Sequence, residues 1–220
     1  MNKQPLRIDI VSDVVCPWCI VGYKRLEQAL SRYQDQFEVD LRWQPFELNP
    51  TMASGGQNLS EHLAEKYGAN PNGSSAIRQQ LSDIGDSLGF SFNFFAEMRI
   101  YNTFNAHQLL HWAASKGLQT ELKLQLFSSY FTEKQALDEL DVLVQAAENA
   151  GLDAAEARTV VESGCYADEV RTELHQWLNR GIHSVPAFII NGKWLLSGAQ
   201  ESAVFEQQLA TVLASTQEAR

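Results

Sequence analysis

Three cysteines are too few to staple a chain of 220 residues. A disulfide scaffold spreads its bridges along the sequence, whereas here Cys16 and Cys19 stand together and Cys165 is alone. Positive charge is scarce as well. With 17 Lys and Arg against 27 Asp and Glu, the net charge is −10 and the pI about 4.9. No basic stripe is visible, which argues against a nucleic-acid or anionic-membrane surface, because phosphate-rich partners need one. Long apolar runs are missing too. None approaches the ~20 residues that span a bilayer. After Met1 the first apolar stretch is interrupted by Arg7, Asp9 and Asp13, unlike the core of a secretory signal. The expected location is the cytoplasm. A metal site is poorly provided for: there is no second C-x-x-C, and His107 and His111, at i and i+4 on a predicted helix, lack the glutamate of an H-E-x-x-H motif. They read as a packed or surface pair, and no metal is expected.

What is present is apolar and ordered in pattern. Hydrophobic residues make up 45% of the chain, enough for one substantial core or for a domain with a large insertion. The stretch around which the rest is organised is Cys16-Pro17-Trp18-Cys19, between an alternating run from Leu6 to Val11 and a helical pattern from Ile20 to Tyr33. A helix leaves its first N–H groups unpaired and is partly positive at its start, so a sulfur there is favoured as thiolate. Pro17 suits the first helical position. Cys19, one turn on, lies on the same side as Cys16 and within reach of a small disulfide ring. The expectation is an accessible nucleophile at Cys16, with its pKa lowered from about 8.5 into the range of roughly 3.5–7.5, and a buried resolving thiol at Cys19.

Along the chain, the first strand and helix are followed by a second alternating run, Phe37, Val39, Leu41 and Trp43, ending at Pro45. From there the period changes. Residues 58–180 read as an inserted helical domain, with pieces over Leu59–Tyr67, Ser75–Leu88, Thr103–Ser115, Glu121–Phe131, Val142–Asn149, Ala154–Glu162 and Ala167–Leu178. Asn70-Pro71-Asn72-Gly73 reads as a loop, and Phe90, Phe92, Phe94 and Phe95 as an aromatic cluster that packs the two halves together. Strands return at Ala187–Ile190 and Trp194–Leu196 around Asn191-Gly192, the strongest short-range hairpin signal. A helix over Gln200–Ser215 closes the chain. Segments 1–57 and 181–220 then form one α/β domain of order β-α-β, helical insert, β-β-α.

That order and four separated motifs carry a resemblance. Ser12-Asp13-Val14-Val15-Cys16-Pro17-Trp18-Cys19, Pro45-Phe46-Glu47-Leu48-Asn49-Pro50, Asn102-Thr103-Phe104-Asn105-Ala106-His107, and Val185-Pro186 followed by Ser197-Gly198-Ala199-Gln200 resemble DsbA-like oxidoreductases of the thioredoxin superfamily, in their FrnE-like branch. The resemblance implies a thioredoxin-like fold with a large all-helical insertion. It further implies that Pro186 is a cis-proline facing the cysteines, which leaves the backbone of Val185 free to pair with an extended substrate. Trp18 offers an apolar surface for a substrate or a shield for Cys19. Asp13 reads as a turn or cap residue, with proton handling for Cys19 as its other role. His183, near the proline loop, is a candidate for holding the Cys16 thiolate. Cys165 reads as a small buried hydrophobe.

The activity implied is thiol-disulfide exchange on a disulfide-containing protein or a small thiol substrate. No cofactor is expected to be bound, and glutathione is a candidate reductant. A second class is a glutathione-dependent isomerase or transferase of the kappa-class or hydroxychromene-carboxylate isomerase type, where a serine-like residue replaces the attacking cysteine. Cys19 speaks against it. A third is a redox-switched binding protein, with the cysteines as switch.

Overall fold

The run from Leu6 to Val11 forms the interior strand of a sheet. In the computed structural model, which describes residues 3–68 and 71–217, it lies in β1 (Gln4–Ser12), followed by α1 (Pro17–Ser31) and β2 (Phe37–Pro45). Then come β3 (Gln57–Asn58), α2 (Leu59–Tyr67), α3 (Pro71–Ser87), β4 (Arg99–Ile100), α4 (Phe104–Ser115) and α5 (Gln119–Phe127). A π-helical turn over Ser128–Thr132 leads to α6 (Leu140–Asn149), α7 (Ala154–Ser163) and α8 (Ala167–Asn179), and the chain closes with β5 (Ala187–Ile190), β6 (Trp194–Ser197) and α9 (Ser202–Gln217). The main sheet has the order β2-β1-β5-β6, with β1 and β2 parallel and the other pairs antiparallel.

Because β1 has neighbours on both edges and cover on both faces, all residues from Ile8 to Ser12 are buried. Asp9 tolerates this by pairing with Arg7 at 2.8 Å and accepting from Gln44 Nε2 at 2.7 Å. The register sets the site. Val11 stands opposite Ala187, so the residues just before β5 lie beside the end of β1. The Asn191-Gly192 hairpin forms as expected, both residues taking the positive φ (50° and 67°) of a type I′ turn.

The helical segment packs on the sheet through α5. Trp43 of β2 meets Phe127 edge-on at 6.2 Å and Tyr23 of α1 at 5.1 Å, and these residues share one apolar core with Ile8, Ile20 and Leu126. Three expectations need correction. Pro71, Asn72 and Gly73 are the first turn of α3, not a loop, since proline is at home at a helix start; Asn70 lies outside the described residues. The helix expected over Glu121–Phe131 widens after Phe127 into the π turn, in which Ser129, Tyr130 and Phe131 are all buried. Phe90, Phe92 and Phe94 gather on Phe131 and so pack the helical segment internally; the aromatic link to the sheet is Trp43 with Phe127.

Candidate active site

Cys16 is the N-cap of α1 in extended conformation (φ −91°, ψ 111°), with Pro17 at the first helical position. A tight turn precedes it, the Cys16 N–H reaching the Asp13 carbonyl at 3.2 Å, and the Cys19 N–H closes the first turn on the Cys16 carbonyl at 3.1 Å. Both thiols are free. The Cys16 Sγ lies 3.9 Å from the Val185 carbonyl, and the Val185-Pro186 bond is cis. Pro186 is fixed from two sides: its carbonyl accepts from Gly198 N–H at 2.8 Å, and its ring lies against Gly22, where an added Cβ would fall 3.2 Å from Pro186 Cγ and 2.9 Å from Phe188 Cζ. Gly22 is therefore a packing requirement of the junction.

Both sulfurs are buried, Cys16 with 4% exposure and Cys19 with none, so the expectation of an accessible Cys16 is corrected to a thiol that barely reaches the surface. The electrostatics also depart from a simple helix-dipole picture. Hydrogen bonding to the Cys19 sulfur, burial and the charge on Cys19 push the Cys16 thiol well above the ordinary range. Burial works against charge on Cys19 too, but the Cys16 thiol, the Ser12 hydroxyl, the Lys123 ammonium and the Asp13 backbone outweigh it and hold Cys19 low. The surroundings of the pair thus favour negative charge on the Cys19 sulfur over the Cys16 sulfur.

Asp13 is fully buried and joins loops: its Oδ2 accepts from Leu48 N–H at 2.8 Å, while Oδ1 lies 3.6 Å from His107 Nε2 without a hydrogen bond. Burial opposes its charge, but His107, the Leu48 amide and Lys123 keep its pKa below the usual value. His107 donates from Nε2 to the Phe46 carbonyl at 2.9 Å, and burial keeps it neutral. His111, its helical neighbour, is instead half-buried and pairs with Glu173 at 3.2 Å. Trp18 is half-buried against the core. His183 is exposed and makes no hydrogen bond or ion pair among the described residues, so nothing ties it to Cys16. Cys165 is exposed, not buried, because Gly164 ends α7 in left-handed conformation and sends the chain over the surface.

Two ionisable residues within the field of Asp13 went unnoticed as individual candidates in the sequence. Lys123 of α5 is completely buried, and burial pulls its ammonium down to about 8 despite the nearby cysteines and Asp13. Glu47, in the loop anchored to Asp13, has a buried Oε1 without a hydrogen-bond partner; burial and the charge of Asp13 push its pKa to about 7. Only the second was foreshadowed, by the Pro45 to Pro50 motif.

A C-x-x-C at a helix start, facing a cis-proline that opens the third strand of a β-α-β, β-β-α frame, defines a dithiol protein of the thioredoxin fold. Residues 7–210 match the model of the DSBA-like thioredoxin domain, and the chain belongs to that family. A probable DsbA oxidoreductase from Streptomyces coelicolor is similar in structure, with a TM-score of 0.87 at 33% identity, covering 94% of this chain and 89% of its own. The uncharacterized protein YwbO of Bacillus subtilis is 28% identical over 206 residues, 93% of this chain and 96% of its own length. The cytosolic disulfide reductase DsbM of Pseudomonas aeruginosa, solved with GSH, shares the fold at 16% identity, with a TM-score of 0.64 over 94% of this chain and 98% of its own. Among the described residues no helix is long and apolar enough to cross a membrane.

Proposed function

We propose that this protein is a cytoplasmic thiol-disulfide oxidoreductase that reduces or isomerises protein disulfides through a mixed disulfide on Cys16. The observation that carries the reading is the placement of two free thiols at one helix start, the outer one 3.9 Å from the Val185 carbonyl. The Val185 N–H makes no backbone hydrogen bond among the described residues, so this residue has a donor to offer an extended substrate strand. Trp18, two residues after Cys16 and half-buried, is the residue that would supply apolar contact.

Cys16 passes its proton to Cys19 and attacks one sulfur of the substrate, whose second sulfur leaves as thiolate and takes up a proton. Cys19 then loses its proton, attacks Cys16, and releases the substrate thiol, leaving the enzyme disulfide. Two glutathione molecules return it to dithiol, themselves becoming glutathione disulfide. In a glutathione-buffered cytoplasm the resting form is the dithiol, which favours reduction over oxidation. A glutathione-binding isomerase fits less well, because orienting a glutathione thiolate gives a second sulfur no task.

The test is trapping. Cys19→Ser should accumulate mixed disulfides through Cys16 with a model disulfide peptide and lose full turnover, while Cys16→Ser should form none. Full activity of Cys19→Ser on a small glutathione conjugate, together with no disulfide turnover by the unaltered protein, would sink the proposal.

A further inference from the structure

The Lys123 side chain is out of place by every rule of burial. It has no exposure, and its ammonium reaches the Ser12 carbonyl at 3.4 Å and the faces of Trp43 and Phe127, 5.3 and 5.1 Å from the ring centres. It makes no ion pair among the described residues. Taking an ammonium out of water without a counterion costs several kcal/mol. A methionine would fill the same space at no such cost, so the charge calls for an anion that is there for only part of the working cycle.

The charged and titratable groups around it narrow the choice. Asp13 faces it from the loop after β1 as a carboxylate, but makes no ion pair with it: Oδ2 receives Leu48 N–H and Oδ1 has no hydrogen bond among the described residues. His107, from α4, is neutral. His111 and Glu173 share with Lys123 the lining of a void of about 10 Å³, with Glu173 engaged by His111. Cys16 and Cys19 remain, and of these Cys19 is the deeper. A donor also waits there: the buried Ser12 Oγ has no hydrogen-bond partner and lies beside the Cys19 sulfur.

We propose that Lys123, carried in by the helical segment, is a positioning residue for the resolving step, its ammonium held on the Ser12 carbonyl so that the thiolate formed at Cys19 is the anion that completes it. The inference rests on the dithiol mechanism above. In the mixed disulfide the Cys19 thiol ionises against this charge. Its sulfur bonds to Cys16, the bond from Cys16 to the substrate sulfur breaks, and the substrate leaves with the electron pair and takes up the proton. The enzyme disulfide carries no charge, so the ammonium keeps only the more distant field of Asp13, with which it makes no ion pair among the described residues. Lys123 therefore favours the reduced form over the oxidised one and makes the protein a weaker reductant than its dithiol would otherwise be.

The test uses the full chain with Lys123→Met and Lys123→Gln. Thiolate absorbance followed against pH should show the first ionisation of the pair at least tenfold weakened. The equilibrium with glutathione should move at least tenfold toward the enzyme disulfide, about 30 mV more reducing. Folding stability of the disulfide form should rise, most clearly in Lys123→Met, because a buried charge without an ion pair is gone. Trapping of Cys16 in a Cys19→Ser background should be unchanged. A folded variant whose ionisation and glutathione equilibrium stay within twofold of the unaltered protein would overturn the proposal, as would failure of both variants to fold. Absence of dithiol turnover in the unaltered protein would fall instead on the proposed function.

Discussion

Two regions of this molecule differ in almost every respect. The thiol junction is dense: Cys16 and Gly22, at the start of α1, meet Val185 and Pro186, with Val185 lying 169 residues beyond Cys16, and the sulfurs are left nearly covered. The groove along the outer edge of β2 is the opposite, an opening of about 730 Å³ lined by Val39 to Gln44 and by His111, Gln119 and Glu173. It exists because β2 has no strand on that side, and the side chain of Gln119 stands in for one at a single place: it accepts from Trp43 N–H at 2.9 Å and donates to the Trp43 carbonyl at 3.0 Å. The larger space therefore lies away from the chemistry. A sulfur that exchanges with a disulfide on another chain needs contact and alignment along its surface, which unpaired backbone groups can provide, whereas a cavity serves a reaction that must enclose its substrate.

That contrast can be broken at the dense end first. Gly22→Ala should gain up to ~1 kcal/mol in helix propensity, yet the new Cβ would fall 2.9 Å from Phe188 Cζ, and Phe188 is itself pressed edge-on against Phe205 at 4.9 Å. Overpacking should win, with a net loss of about 1–3 kcal/mol in denaturant unfolding and slower thiol exchange as Pro186 shifts. A stabilised Gly22→Ala would mean that the junction is looser than its geometry implies. At the open end, Gln119→Ala strips both hydrogen bonds from the Trp43 backbone and should cost about 1–2 kcal/mol, with the glutathione equilibrium unmoved. A change in that equilibrium would show that the groove and the thiols are coupled.

The same contrast explains what could be read from the sequence. The strands, the helices, the Asn191-Gly192 turn and the C-P-W-C helix start are local features, written in period and turn chemistry over a few neighbouring residues. Pro186 became readable through the resemblance. Lys123 did not, because in Leu122-Lys123-Leu124-Gln125-Leu126 it looks like any wet position on a helix, and its burial is imposed by Trp43 and the Ser12 carbonyl, some 80 and 111 residues away in sequence. Gly22 likewise reads as a weak spot in a helix until Pro186 and Phe188 arrive against it. Cys165 was misread for the converse reason: residue type favours burial of a thiol, but a left-handed turn at Gly164 with φ of 61° decides otherwise.

The smallest expected effect belongs to His111, at the border of the groove. Its hydrogen bond to Glu173 at 3.2 Å raises its pKa, and partial burial takes back some of that gain. The folded value thus exceeds the unfolded one of about 6.5. Below that unfolded value both states carry the proton and the contribution to stability is complete; as pH rises through the folded value the charge is lost and the contribution with it. Comparing the unaltered protein with His111→Gln should give a difference of about 0.5 kcal/mol at about pH 5.5, fading to nothing by about pH 8.5. The thiol equilibrium measured alongside should be identical in the two proteins. If the stability difference were the same at both pH values, His111 would be acting through packing against Tyr166, whose ring centre lies 5.1 Å away, rather than through its charge.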